Sequence, residues 1–200
     1  IGVLVAGNGA SDDAAKEALT NIAMQIAAMN PQYISRDEIS ADELAKMKEI
    51  TIDSALNDPF SLPKPVLSKL IEKAVAGVWS AEDVAIYEEK KSNMNFLPNF
   101  LSKEAKAQLA EIACADKEEI SGNKIFSGLV EGRISKQMKE ICLLDQGYVK
   151  AEDGKQTVAA YLKSVNPALK IAKFVRFEVG EGMEKKNEDF AAEVAAQMNA

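Results

Sequence analysis

Strand-like patterns at the two ends of the chain constrain its fold more than any other feature. Residues 1–6 form a short apolar run that ends at Gly7-Asn8-Gly9, where glycine and asparagine favour a turn. Residues 171–179 alternate as a second strand, so every second side chain is expected on the same face. One face would carry Ile171, Lys173, Val175, Phe177 and Val179, and the other Ala172, Phe174, Arg176 and Glu178.

Nearly the whole chain separates these strands, so their pairing would enclose the intervening segment as an insertion. The predicted fold class is α+β, with a small antiparallel sheet packed with helices and a long inserted arm of antiparallel helices. Two strands make a marginal sheet, and we expect a strand upstream of Ile1 or an edge from a partner to complete it. Because the chain opens in mid-strand without Met, we expect it to be part of a longer protein.

An apolar period of 3.6 residues predicts the first two helices. Ser11 is expected to cap the first, and Pro31 to mark its end. The buried stripe of this helix would be Ala15, Leu19, Ile22, Ile26 and Met29. The capping box Ser40-Ala41-Asp42-Glu43 predicts a second helix that ends before Pro59.

Shorter helical patterns follow a linker at residues 59–65. They are predicted around Leu67, Leu70, Ile71 and Ala74, then after the caps Ser80 and Ser102, and from residue 123 into residue 137. Residues 141–144 either extend the last of these helices or form an edge segment, and periodicity does not decide between the two. Residues 157–165 predict a short helix that stops before Pro167.

Composition excludes several classes of function. The net charge is -7 without a basic patch, which disfavours binding to nucleic-acid phosphates. The chain has no histidine, so Ser-His-Asp and Cys-His catalytic systems are excluded. No window reaches the ~18 apolar residues of a membrane span, and no signal-peptide pattern opens the chain, so we expect a cytoplasmic protein without membrane contact. Cys114 and Cys142 lie among apolar neighbours and are expected to be free, buried thiols.

Three motifs invite a chemical role, and each has a simpler interpretation. Gly7-Asn8-Gly9 precedes a helix but matches no phosphate-binding pattern, so a plain turn is expected. The acidic segment 178–189 lacks the spacing of a Ca²⁺ loop and is interpreted as a solvated turn. The pairs Glu88/Glu89 and Glu118/Glu119 would point apart on a helix and act as surface charge. We therefore expect no catalytic residue, cofactor or metal ion.

Large apolar residues in the middle of the chain allow two interpretations. Trp79, Phe96 and Phe100 lie near the helix after residue 67, the aromatic-rich loop 93–100 and the helix after Ser102. They would either pack in the core, which is the common fate of such side chains, or line a groove that contacts another protein.

Four segments of the chain resemble elongation factor Ts. The C-terminal one is Arg176-Phe177-Glu178-Val179-Gly180-Glu181-Gly182-Met183-Glu184, followed by Asp189-Phe190-Ala191-Ala192-Glu193-Val194-Ala195. The others, in the family's order, are Ile1-Gly2-Val3-Leu4-Val5-Ala6, Asn21-Ile22-Ala23-Met24-Gln25-Ile26-Ala27-Ala28 and Val130-Glu131-Gly132-Arg133. The resemblance covers both ends of the chain and leaves residues 40–123 to physical reasoning alone.

The resemblance implies a guanine-nucleotide exchange factor for elongation factor Tu, which is not an enzyme. Such a factor and the nucleotide lower each other's affinity for Tu by the same amount. The chain is similar to the C-terminal part of the family: a core subdomain (1–39 and 140–183), a helical arm (40–139) and a C-terminal helical module (184–200). The Thr-Asp-Phe-Val motif that the family uses for exchange does not occur in this sequence. Docking on Tu and self-association are therefore the implied roles.

The resemblance also implies which residues bind the partner. Ile1 and Gly2 at the strand start and Gln25 in the first helix would contact domain 3 of Tu. Val149 occupies a further contact position, and Gln197 and Met198 would touch the nucleotide-binding domain. The family often has histidine where this chain has Asn21 and Gln25, so the polar part of the contact differs here.

The arm is much longer than the helical hairpin of the family. Residues 64–77 resemble the returning helix of that hairpin, so extra helices would follow it before Asn123. An alternative hypothesis is that the chain is a helical scaffold that uses this enlarged arm to hold a different partner.

Overall fold

The computed structural model describes residues 1–182, which have the α+β fold predicted from the sequence. The chain divides into two compact units. Of the described residues, 1–30 and 160–182 form the sheet unit and 31–159 form the helical unit. Each unit is built from elements that pack on one another within it.

The sheet unit pairs the two ends of the described chain. Strand β1 (Gly2–Asn8) runs antiparallel to strand β2 (Lys170–Phe177), from the pair Gly2 and Phe177 to the pair Asn8 and Lys170. Helix α1 (Asp13–Met29) packs against β1. Helix α8 (Val158–Val165) starts in the helical unit and continues into this one. The predicted pairing of the two terminal strands is thus confirmed, and β1 is longer than the six residues expected.

A β-bulge corrects the predicted faces of β2. Ala6 pairs with Lys173, whereas Gly7 pairs with Ile171, so Ala172 is an extra residue in β2. The bulge shifts the alternation of the side chains. Ile171 is buried before it, and Phe174 and Arg176 are half-buried after it. Beyond the bulge the exposed face carries Lys173, Val175 and Phe177, which the simple alternation had placed on the same face as Ile171.

The start of α1 differs from the sequence prediction by one residue. Asp12, not Ser11, is the N-cap, because its backbone is extended and its Oδ1 accepts a hydrogen bond from the Ala15 N–H at 2.7 Å. The helix ends at Asn30, which has a left-handed φ of 46° and precedes Pro31 as expected. Met29 was predicted to be buried and is 46% exposed, since it lies in the last turn.

Gly9 allows the chain that follows β1 to approach the segment that precedes β2. Its φ is +86°, which side chains other than glycine rarely adopt. A Cβ atom at this position would lie 1.8 Å from the carbonyl oxygen of Ala168. The predicted turn therefore starts at Gly9, because Gly7 and Asn8 still belong to β1.

The helical unit is built from helices joined by short 3-10 turns. Its helices are α2 (Ala41–Asn57), α3 (Lys64–Val75), α4 (Ala81–Lys90), α5 (Lys103–Ala115), α6 (Lys117–Ser121) and α7 (Lys124–Ile141). The 3-10 turns span Arg36–Glu38, Pro59–Ser61, Lys91–Asn93, Leu97–Asn99 and Leu143–Asp145. The capping box at Ser40 and the caps at Ser80 and Ser102 are confirmed, and Asn123 caps α7 at the predicted start of that helix.

One apolar core joins the helices of this unit. Helix α2 packs on α5 and α7, and α3 packs on α5. Only the end of α2 reaches the core, because its buried residues are Ala55 and Leu56. The core extends from these residues to Phe126 and Val130 at the beginning of α7. It includes Leu67, Leu70, Ile71, Ala74, Trp79, Leu97, Leu101, Leu109 and Ile120.

Asp83 links the beginnings of α4 and α5. Its carboxylate accepts hydrogen bonds from the Ser102 N–H (2.9 Å), the Ser102 hydroxyl (2.9 Å) and the Ser80 hydroxyl (2.7 Å). Each of these serines also caps its own helix. Burial by itself would raise the pKa of Asp83, but these hydrogen bonds outweigh it and hold the pKa below its ordinary value.

The apolar run 141–144 neither extends the helix nor forms a strand: Ile141 is the last helical residue, Cys142 forms an isolated bridge, and Leu143 begins a 3-10 turn. Helix α7 ends at Ile141, and Cys142 forms a parallel bridge with Tyr33. The N–H groups of Leu143 and Leu144 then donate to the carbonyls of Tyr33 and Ile34 at 2.8 and 3.0 Å. Both cysteines are free as expected, but Cys114 is exposed and only Cys142 is buried.

Replacing Gly9 with alanine should destabilise the sheet unit. The positive φ alone costs about 1–2 kcal/mol for a residue with a Cβ, and the contact with the Ala168 carbonyl adds to this cost. Hydrogen exchange of the β1 and β2 amides would measure the loss. Gly2→Ala is the control, because a Cβ there meets nothing within 4 Å. Equal exchange rates in both variants would contradict the role of Gly9.

Asp83→Asn should destabilise the helical unit more at neutral than at acidic pH. The new amide group places N–H donors against the hydroxyl and amide donors that now face a carboxylate. Because the folded pKa of Asp83 is lowered, its contribution is present above the unfolded pKa of about 3.9 and is lost as the pH falls through the folded value.

Urea unfolding followed by fluorescence of Trp79, the single tryptophan and a core residue of this unit, would measure the effect. The difference between wild type and variant in the free energy of unfolding should shrink from pH 7 to about pH 3. A difference that is the same at both pH values would show that ionisation of Asp83 does not stabilise the fold.

Candidate partner-binding surface

Among residues 1–182, the two strands of the sheet unit expose large apolar side chains on one face. Leu4 lies opposite Val175, and Gly2 lies opposite Phe177. Leu4 is 67% and Phe177 56% exposed, and Ile1 next to them is 64% exposed. We call Leu4, Val175 and Phe177 the outward face, and the exposed Ile1 lies beside it, before the first residue of β1. A contiguous group of large exposed apolar side chains is typical of a protein contact rather than of solvent-facing surface.

The opposite side of the same strands faces inward. Val3 pairs with Arg176 and Val5 with Phe174, and all four residues are half-buried. The Arg176 side chain is 13% exposed, and its Nη1 donates to Glu178 Oε2 at 2.7 Å. Its Nε is buried without a hydrogen-bond partner in the described chain, so the ion pair with Glu178 is its main compensation. This pair neutralises the arginine at the end of β2.

The residues predicted to bind a partner fall in different environments. Ile1 and Gly2 lie at the exposed start of β1, beside the outward face. Gln25 is fully buried in α1. Val149 is 49% exposed and belongs to the helical unit. Gln197 and Met198 lie outside the described residues. The structure therefore places Ile1 and Gly2 close to three exposed residues that were not predicted to bind a partner, namely Leu4, Val175 and Phe177.

Asn21 makes a contact within the sheet unit. Its Nδ2 donates to the Tyr161 hydroxyl at 2.8 Å, which ties the middle of α1 to α8. Asn21 is half-buried, in contrast to the exposed Ile1. An asparagine side chain at this position thus contributes to the packing of the two helices.

The three outward-face residues missed by sequence analysis are Leu4, Val175 and Phe177. Val3, Leu4 and Val5 are all apolar, so the sequence of β1 does not show which of them faces outward. Val175 and Phe177 were grouped with Ile171, and only the bulge separates them from that buried residue. The small size of the sheet is a better indication, because two strands alone are marginally stable and need additional strands or a packed helix.

The acidic motifs take part in surface ion pairs. Glu88 pairs with Lys91, Glu89 with Lys90, and Glu119 lies 3.9 Å from Lys73. In the acidic turn, Glu181 accepts a hydrogen bond from the Glu178 N–H at 3.3 Å. Residues 1–182 contain no group of three or more side chains arranged to hold a metal ion. In the same part of the chain, no helix is long and apolar enough to span a membrane.

The large aromatic residues of the helical unit divide between core and surface. Trp79 is buried, and its Nε1 donates to the Ala105 carbonyl at 2.9 Å. Phe96 and Phe100 are 59% and 52% exposed. The prediction of core packing is therefore correct for Trp79, whereas Phe96 and Phe100 lie on the surface.

Comparison with known proteins decides the family. The family model described as elongation factor TS matches residues 1–181, nearly the whole chain. The chain belongs to the elongation factor Ts family. It is 34% identical to elongation factor Ts of Clostridioides difficile over 201 residues, and 33% identical to that of Desulforamulus reducens over 207 residues. These matches include 99% and 100% of this chain.

The relatives are longer than this chain. The match covers 46% of the C. difficile elongation factor Ts and 67% of the D. reducens protein. Elongation factor Ts of Acholeplasma laidlawii is 46% identical over a shorter stretch of 114 residues, which is 52% of this chain and 37% of that protein. The chain thus spans about half to two thirds of the length of the first two relatives.

Proposed function

We propose that this elongation factor Ts chain docks on elongation factor Tu through the outward face of its sheet unit. The observation that carries the proposal is the exposure of Leu4, Val175 and Phe177 on one side of a two-stranded sheet, with the exposed Ile1 at the start of the first strand. Burying such a face against a partner gains roughly 25 cal/mol per Å² of apolar surface. Membership of the family makes Tu the partner of first choice.

The proposed contact starts at Ile1 and Gly2. Gly2 has open space where a side chain would lie, so a partner backbone can approach the start of β1 closely. Gln25 is buried and would act by holding α1 behind the sheet, not by touching the partner. Val149, Gln197 and Met198 complete the proposed set of contacts.

We assign docking, not exchange, to these 200 residues. The Thr-Asp-Phe-Val motif does not occur in them. In this proposal residues 1–39 and 140–183 form the docking core, residues 40–139 an arm, and residues 184–200 a C-terminal module. A factor changes nucleotide affinity only if it binds one conformer of Tu better than the other. Docking that is equal for both conformers would anchor the protein without releasing nucleotide.

Ile1→Asp should weaken binding to Tu, because a carboxylate would be buried against an apolar partner surface without compensation. Titration of labelled chain with Tu should show a dissociation constant at least about tenfold higher. Ile125→Asp is the matched control: Ile125 is 53% exposed in the first turn of α7, where a negative charge suits the helix dipole. Equal weakening by both variants would contradict docking through the sheet.

A nucleotide-release assay with Tu and the wild-type chain tests the second half of the proposal. We expect the chain to bind without accelerating release of GDP. Rapid release by these residues alone would refute the assignment of docking without exchange. Failure of the wild-type chain to bind Tu at all would refute the proposed partner.

Self-association is a second candidate role for the outward face. A second copy offers the same apolar residues, and pairing of equivalent faces is the usual geometry of homodimers. Light scattering distinguishes a dimer from a monomer. If dimers form, Leu4→Asp should dissociate them and the control Ile125→Asp should not.

Removal of residues 59–121 should leave Tu binding intact, because the outward face lies in the other unit. The deletion takes away α3 to α6, so Leu56 and Phe126, which lose their core neighbours, are replaced by serine. The same titration with Tu measures the outcome. A loss of affinity comparable to that of Ile1→Asp would place the docking surface in the helical unit.

A further inference from the structure

A groove on the helical unit has walls from two separate segments. Residues 60–67 form one wall, at the beginning of α3, and residues 94–98 form the other, between the 3-10 turns that precede α5. Its apolar lining consists of Phe60, Leu62, Pro63, Leu67, Met94 and Pro98, and its volume is about 370 Å³. We call it the α3 groove. It has room for several apolar side chains of a ligand.

The floor of the α3 groove is rigid. Leu62 and Leu67 are 5% and 4% exposed and belong to the core of the helical unit. Leu97, between Met94 and Pro98 on the other wall, is fully buried. Both walls are therefore anchored in the same core, so the groove exists before any ligand arrives. A preformed apolar groove loses little entropy on binding.

The charges around the groove are positive. Lys64 is the one charged residue in its lining, and no acidic residue lines it. The Lys106 ammonium group donates to the Pro98 carbonyl at 3.2 Å. Within residues 1–182 neither lysine lies within 4 Å of a carboxylate, unlike Lys73, Lys90, Lys91 and Lys117. Helix α3 also begins without a side-chain cap and without an acidic residue in its first turn, which leaves the positive end of its dipole uncompensated.

This local charge contrasts with the whole chain, whose net charge is -7. An apolar groove with a positive rim on an acidic protein complements a ligand that is apolar and negatively charged. We propose that the α3 groove binds a short segment of a partner protein that carries apolar side chains next to aspartate or glutamate. The α3 groove contains none of the residues proposed to contact Tu.

A single-stranded nucleic acid, the other acidic ligand, fits the surface less well. It needs exposed aromatic rings on which bases stack. The ring of Phe100 already carries the Lys90 ammonium group 5.1 Å from its centroid. Aliphatic side chains can insert into an apolar groove, whereas bases bind by stacking on exposed aromatic rings.

Selection from a random-peptide display library on the immobilised 200-residue chain tests this proposal. We expect enriched peptides to combine Asp or Glu with Leu, Ile, Val, Met or Phe. Their dissociation constants are measured by fluorescence anisotropy on wild type and variants. Lys64→Glu and Met94→Ser should each raise the constant roughly tenfold, through lost charge attraction and lost apolar contact respectively.

Each variant has a matched control on α2. Lys48→Glu reverses an exposed charge, and Leu44→Ser removes an apolar side chain that is 40% exposed. Neither control should change peptide affinity. Circular dichroism verifies that all four variants keep their helix content, and Lys64→Glu should retain it because a negative charge suits the start of α3.

Several results would overturn the proposal. These are no enrichment, enrichment of basic or purely polar peptides, and equal binding of the enriched peptides to wild type and variants. Displacement of the peptides by oligouridine would assign the groove to nucleic acid instead. Self-association that disappears in Lys64→Glu and Met94→Ser, but not in the α2 controls, would assign it to a second copy of the chain.

Discussion

The antiparallel pairing of β1 with β2 is the contact on which the sheet unit depends. It brings the first residues of the chain next to a strand that begins at Lys170. Closing so long a loop costs little more entropy than closing one of half its length, because the cost grows only with the logarithm of length. The interior of that loop also folds around its own core. The outward face exists only because this pairing places Leu4 beside Val175.

A single extra residue decides which apolar side chains this sheet exposes. Without the bulge at Ala172, the side of β2 that holds the buried Ile171 would also hold Val175 and Phe177. With it, Phe174 and Arg176 turn inward and the two apolar residues turn outward. The bulge thus separates a half-buried side from an exposed side within eight residues, and it does so through backbone geometry alone.

The helical unit combines a stem with a compact end. Most of α2 contributes only exposed or half-buried residues, and its last turn enters a core shared with α3, α5 and the start of α7. Asp83 fixes the beginnings of α4 and α5 to each other through two serines. The same core supports both walls of the α3 groove. The groove is lined by one lysine and no acidic residue, although the whole chain has a net charge of -7.

The sequence by itself determined most of the helices, the two terminal strands and the caps at Ser40, Ser80 and Ser102, because these follow from local periodicity and local hydrogen bonding. The pairing of the two ends was predicted because only helical patterns separate the two strands in the sequence. The sequence also showed the resemblance to the family, because each matching segment is a continuous stretch of residues. Only the tertiary structure decided the register of β2, the burial of Gln25 and Trp79, and the exposure of Phe96 and Phe100. Those outcomes depend on which residues meet across the fold, and an apolar side chain has the same sequence pattern whether it faces a core or a partner.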